Sequence, residues 1–263
     1  MADEDEEDED LAGSLGFMFD AAHARATSVI DLGVMGVEPL RLRLIKGDPG
    51  HVQSGQYLWP AAQYAAKWLL LQGPSPRVVV ELGAGCGLAG LATTQLESVK
   101  TVVLTDYDYG SLELLAENAA DVLAQPYAAA GNKTVIIEQL KWGGRGGGAS
   151  AAVGQAIALP VALVKAATAS GKLLILGTDL IYSRDVVAPL LQTATALLNL
   201  AEAEDKVGAG AEFLLFGSFC IQDYDDEVTK VCSELGLAKT ELETLDSERQ
   251  KGETAWLLRF SIP

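Results

Sequence analysis

The chain has 263 residues, 49% of them hydrophobic, enough to bury a sizeable core, which excludes a wholly disordered polypeptide. Its formal charge is −17, from 36 acids and 19 bases, so nucleic acid, which calls for clustered Lys and Arg, is a poor partner. Three widely spaced cysteines (Cys86, Cys220, Cys232) and two histidines (His23, His51) argue against a disulfide framework, a zinc site or any multi-histidine metal centre.

Eight of the acids fall in Asp3–Asp10, and a run of like charge repels itself and stays solvated. The expected organisation is an acidic, disordered tail over residues 1–12 and one domain over 13–263. No secretory apolar stretch follows the acidic start, and no apolar run reaches the roughly 18 residues of a membrane span. These features lead us to expect a soluble monomer, cytoplasmic or alternatively nuclear, without membrane contact.

After an irregular start, Glu38–Lys46 (EPLRLRLIK) alternates Leu40, Leu42 and Leu44 with Arg41 and Arg43, the period of a half-buried strand. Gln56–Leu71 predicts a helix stopped by Gly73-Pro74. From Arg77 the chain alternates. Buried strands are expected at Arg77–Leu82, Lys100–Thr105, Lys133–Gln139, Lys172–Gly177, Glu212–Phe216 and Thr254–Ile262. Between them helices are expected at Leu88–Glu97, Gly110–Leu123, Asp185–Ala203 and Asp223–Leu235. Parallel strands need a returning helix, so this rhythm specifies an α/β fold with a doubly wound, mostly parallel sheet. Gly143–Gly171, which begins GGRGGG and continues into an Ala-rich stretch (Val153–Ala167) able to form a helix, is expected to be a surface insertion.

In such a sheet, ligands bind beyond the carboxyl ends of the strands, near the point where strand order reverses. Gly83, Gly85, Gly87 and Gly90 stand where the first core strand turns into its helix, and glycines there permit tight turning and close approach of backbone to ligand. Asp106 ends the next strand, where a carboxylate can accept both hydrogen bonds of a ribose diol. Gly85–Gly90 also satisfies G-x-G-x-x-G, with an acid about 20 residues on, so a nicotinamide-dependent oxidoreductase is a competing reading. Against it, the glycine run starts one step earlier, with Glu81, as E-x-G-x-G-x-G. Cys86 has no sequence neighbour to activate it as a nucleophile.

Further segments narrow the choice. Trp59-Pro60-Ala61-Ala62 precedes the first core strand, Leu140-Lys141-Trp142-Gly143 follows the third, and Gly177-Thr178-Asp179-Leu180-Ile181-Tyr182 follows the fourth. With Glu81–Gly90 and Thr105-Asp106, these resemble the METTL21-like group (methyltransferase family 16) of protein methyltransferases, often lysine-directed, from about Val37 to the last strand. The resemblance implies a seven-stranded Rossmann-like sheet with an antiparallel C-terminal strand, preceded by an N-terminal strand and helix. It implies S-adenosyl-L-methionine as cofactor and, as partner, a protein presenting a lysine. Gly83, Ala84 and Gly85 would lie along the methionine part of the cofactor with Glu81 beside them, and Asp106 would hold the ribose. Trp142 would border the adenine, Trp59 would close the pocket, and Thr178 would contribute backbone. Asp179 and Tyr182 match the D-x-x-Y signature at the acceptor mouth, Asp179 orienting the incoming ammonium and Tyr182 shaping the entrance. The sequence departs from the family at the long insertion and at Phe216–Phe219, where a hydrophobic–Gly–Ser–Phe stretch replaces a more basic segment. A small-molecule methyltransferase and a non-catalytic binding protein remain as alternatives on the same fold.

Overall fold

The computed structural model describes residues 25–45, 54–127, 132–143, 157–169, 171–203, 210–218, 224–242 and 255–263. The acidic tail, both histidines, Phe219, Cys220 and residues 144–156 of the glycine-rich insertion lie outside them. Strands β1 (Arg25–Ile30) and β2 (Leu40–Ile45) pair antiparallel as a separate two-stranded sheet, with Thr27 opposite Arg43. Helix α1 (Pro60–Gln72) follows, and then strand β3 (Val78–Leu82), helix α2 (Leu88–Ala92), strand β4 (Thr101–Asp106), helix α3 (Tyr109–Leu123) and strand β5 (Thr134–Gln139). The second half runs helix α4 (Val161–Ala167), strand β6 (Leu173–Thr178), helix α5 (Arg184–Glu202), strand β7 (Glu212–Gly217), helix α6 (Asp225–Leu235) and strands β8 (Ala238–Leu242) and β9 (Trp256–Ser261).

Seven strands form the main sheet in the order β5-β4-β3-β6-β7-β9-β8. β3 lies parallel to both β4 and β6, with Leu82 opposite Gly177, whereas β9 runs antiparallel between β7 and β8. This is the Rossmann-like, mostly parallel sheet that the sequence leads one to expect. Alternate residues of β3 divide between two apolar cores. Val78, Val80 and Leu82 face α4, α5 and α6; Val79 faces α1, α2, α3 and the leucines of β2. Chain order reverses between β3 and β6, so a crevice opens at their carboxyl ends.

Several boundaries differ from expectation. The irregular start includes β1, whose RATSVI has no fully buried position and gives no apolar run to read. The first helix begins four residues later than Gln56, because Pro60 fixes the helical φ at its first position. Ser54–Gln56 is instead a 3₁₀ turn. The helix after the glycine loop gives way to a 3₁₀ turn at Thr93–Gln95, where the Thr93 and Thr94 hydroxyls donate back to the carbonyls of Gly90 and Leu91. Of the expected Ala-rich helix, Val161–Ala167 forms behind Pro160, and its Leu163, Ala166 and Ala167 are buried in the core with Val78 and Val80, so this part of the expected surface insertion is a core helix instead. β8 gives no apolar run to read, since AKTEL is a polar edge strand.

Candidate functional site

The crevice is built from four segments that converge on the carboxyl ends of β3, β4 and β6. The first is the turn Gly83–Gly87. Gly83 and Gly85 hold φ of +59° and +56°, which a side chain would strain. A Cβ on Gly83 would stand 2.7 Å from Leu180 and 3.0 Å from the Trp142 ring, and one on Gly85 would stand 2.6 Å from the Gly55 carbonyl. The turn is thus closely covered by chain from both sides. Backbone bonds hold its path: Ala84 N–H donates to the Thr105 carbonyl, and Gly87 N–H to the Ala84 carbonyl.

Asp106 terminates β4 beside this turn, buried. Its two oxygens accept from Gly85 N–H at 3.1 Å and Asp108 N–H at 3.0 Å. Burial pushes its carboxyl above the usual range, opposed by the N–H groups of Asp108, Gly85 and Tyr107. Gly55 lies over it, the position of its absent Cβ falling 3.8 Å from Asp106 Oδ2. The N-terminal turn Ser54–Gln56 therefore completes the rim. Arg25 ties that turn down, donating to Gln56 Oε1 at 2.8 Å and to the Gly110 carbonyl at 3.0 Å.

Glu81 is 1% exposed and lies behind the turn, on the α2 side of the sheet. Its Oε2 accepts from Gly90 N–H at 2.8 Å, while Oε1 has no hydrogen-bond partner among the described residues. Burial raises its carboxyl to about 8, with the Gly90 N–H opposing and the Asp106 charge adding to the rise. Glu81 acts on the loop from beneath, by holding the first turn of α2.

Asp179 follows β6 with φ +52°, a left-handed conformation uncommon for aspartate. Its carboxylate accepts from Ala61 N–H at 3.1 Å, Ser218 N–H at 2.6 Å and Ser218 Oγ at 2.9 Å, and its own N–H donates to the Phe216 carbonyl. Burial raises its pKa, opposed by those same donors. Trp59, the N-cap residue of α1, makes no side-chain cap, so a carboxylate 118 residues away satisfies the first turn. Asp179 therefore caps α1, while Ser183 occupies the N-cap of its own following helix, α5.

Trp142 packs half-buried over Gly83, and Trp59 meets Tyr57 edge-on at 5.3 Å. Thr178 is buried at the end of β6, paired with Phe216. Tyr182 is 60% exposed at the crevice mouth; its carbonyl accepts from Tyr224 Oη. Partial burial, with Tyr107 and Asp106 nearby, holds the Tyr182 proton more firmly. Burial raises the Cys86 thiol to about 12, which leaves it inert. No group of acids, cysteines and histidines able to hold a metal occurs among the described residues. Nor is any helix among them long and apolar enough to cross a membrane. Sequence reasoning missed the covering turn at Gly55, Ser218 as partner of Asp179, and Asn118, which donates to the Cys86 carbonyl inside the turn.

The acceptor oxygens of Asp106 suit a cofactor with a ribose diol. The Asp106 oxygens retain lone pairs beyond their two backbone bonds, and the glycine turn admits no side chain between itself and Trp142. The family model described as lysine methyltransferase matches residues 40–150. The chain is 31% identical over 99 residues to protein-lysine N-methyltransferase EEF2KMT of Mus musculus, a match covering 35% of this chain and 29% of that protein. It therefore spans less than a third of that relative's length. Among solved structures, Pyrococcus horikoshii TYW2 in complex with MeSAdo is 14% identical, with a TM-score of 0.47 over 90% of this chain and 71% of that one. The M. jannaschii tRNA m1G37 methyltransferase is also 14% identical, with a TM-score of 0.46 over 90% of this chain and 55% of that one. The sheet order itself, rather than these distant likenesses, establishes the fold.

Proposed function

We propose that this chain, which has the fold and the sequence motifs of a class I S-adenosylmethionine-dependent methyltransferase, methylates the side-chain amine of lysine in a protein substrate. The observation that carries the reading is the convergence of the Gly83–Gly87 turn, Asp106 and Asp179 at one switch point, inside a chain whose residues 40–150 match a lysine methyltransferase model.

When bound, the cofactor supplies an electrophilic methyl group, so no residue need act as nucleophile. What the chain supplies is position and exclusion of water. Asp106 holds the ribose hydroxyls. Gly83, Ala84 and Gly85 line the path of the aminoacyl part, Trp142 borders the base, Trp59 closes the pocket, and Thr178 contributes its backbone. Asp179 fixes the acceptor mouth by joining β6 to α1 and to Ser218. Its negative charge draws an approaching ammonium, and Tyr182 edges the entrance. Desolvation in the crevice lowers the lysine pKa from its ordinary value of about 10.4, which favours the neutral amine needed for transfer.

Calorimetric titration with S-adenosylmethionine and, separately, with NAD tests the cofactor assignment. Binding of the first alone is expected; binding of NAD alone would overturn it.

A further inference from the structure

One side chain joins the glycine turn to the N-terminal hairpin. Asn118, on α3, is fully buried. Its Oδ1 accepts from Arg43 N–H at 2.7 Å, and its Nδ2 donates to the Arg43 carbonyl at 3.0 Å. The amide thus pairs with β2 as a one-residue strand would. The second hydrogen of Nδ2 goes to the Cys86 carbonyl at 2.9 Å, inside the glycine turn. Both donor hydrogens are then used.

The Cys86 carbonyl governs more than its own oxygen. Because the peptide unit is planar, its direction sets that of the Gly87 N–H, which donates to Ala84 at 2.8 Å and begins α2. Ala84 and Gly85 are held by β4, through Thr105 and Asp106. Among the hydrogen bonds of the described residues, that from Asn118 to the Cys86 carbonyl ties the turn to α3. Around it, Arg43 also reaches α3 through Glu117 at 2.8 Å and Asp121 at 3.2 Å, but these pairs are half exposed and touch no part of the turn.

We propose that Asn118 is a positioning residue for the cofactor turn, clamping the Cys86 carbonyl to the outer edge of β2 so that the turn is set before the cofactor arrives. This rests on the methyltransferase reading, since it assigns the turn to S-adenosylmethionine. The hairpin then belongs to the cofactor machinery, although it contributes no side chain to the crevice through this link.

The test compares wild type, N118D, N118A and E117Q in the full chain. N118D keeps an acceptor for Arg43 N–H but turns an oxygen without a hydrogen toward two carbonyls. E117Q removes exposed ion pairs of the same hairpin and leaves the Asn118 bonds whole. S-adenosylmethionine dissociation constants are measured by calorimetry, and amide hydrogen exchange is followed over residues 84–87. N118D and N118A are expected to weaken binding roughly tenfold, the equivalent of one buried hydrogen bond, and to speed exchange in the turn. E117Q is expected to keep wild-type affinity. Wild-type affinity in N118D, or equal loss in E117Q, would overturn the clamp while leaving the cofactor assignment standing. A wild type that binds no S-adenosylmethionine would overturn both.

Discussion

Glu81→Gln isolates the buried carboxyl beneath the glycine turn. In the folded chain that carboxyl keeps its proton up to about pH 8, against an ordinary value of 4.5. Below pH 4.5 both folded and unfolded states carry the proton, and burial costs nothing electrostatic. Above it the unfolded state ionises first, so stability is lost progressively as pH rises toward 8. Each unit of pH within that window costs about 1.4 kcal/mol, so between pH 5.5 and 8 the penalty grows by about 3 kcal/mol. Glutamine still offers an oxygen to Gly90 N–H but does not titrate. Its amide hydrogens, placed where Oε1 has no partner, impose a cost that does not vary with pH. Denaturant unfolding of both proteins from pH 5.5 to 8.5 measures the difference. The gap between the two stabilities should shift in favour of the variant by about 3 kcal/mol across the range. Parallel curves would refute the account of Glu81 as a desolvated acid.

Asp106→Ala should weaken S-adenosylmethionine binding by roughly 30-fold, from about 2 kcal/mol of lost hydrogen bonding to the ribose, as read by calorimetry. Asp179→Ala strips acceptors from Ala61 N–H and Ser218 N–H, so it should cost roughly 3 kcal/mol in thermal unfolding as well as lowering methyl transfer. Wild-type stability in that variant would remove the capping role. Gly83→Ala places a methyl group against Leu180 and Trp142 at φ +59°; it should abolish measurable cofactor binding while circular dichroism still reports the sheet.

The centre of the sheet was legible because β3 and β6 are buried on both faces and open with the apolar runs VVV and LLIL. The glycine turn and Asp106 were legible because their spacing is short-range. What escaped is long-range or polar. β1 and β8 lie at edges and alternate with exposed residues, so nothing separates them from loop in a single sequence. Asp179 stands out as part of a motif, but its bond to Ala61, 118 residues earlier, exists only once β6 and α1 are side by side. Asn118 reads as one polar position on an amphipathic helix; its partners lie 75 and 32 residues away. The resemblance implies Glu81 beside the methionine part of the cofactor; in the structure strand alternation puts its carboxyl group on the α2 side, where it accepts from Gly90 N–H.

Transfer of label from S-adenosylmethionine carrying a radioactive methyl group into a cell lysate tests the central claim most directly, when the protein fraction is hydrolysed to amino acids. Label recovered as methylated lysine is the expected result, dependent on Asp106 and reduced in the Asp179 variant. Label confined to small molecules, or to another amino acid, would contradict it.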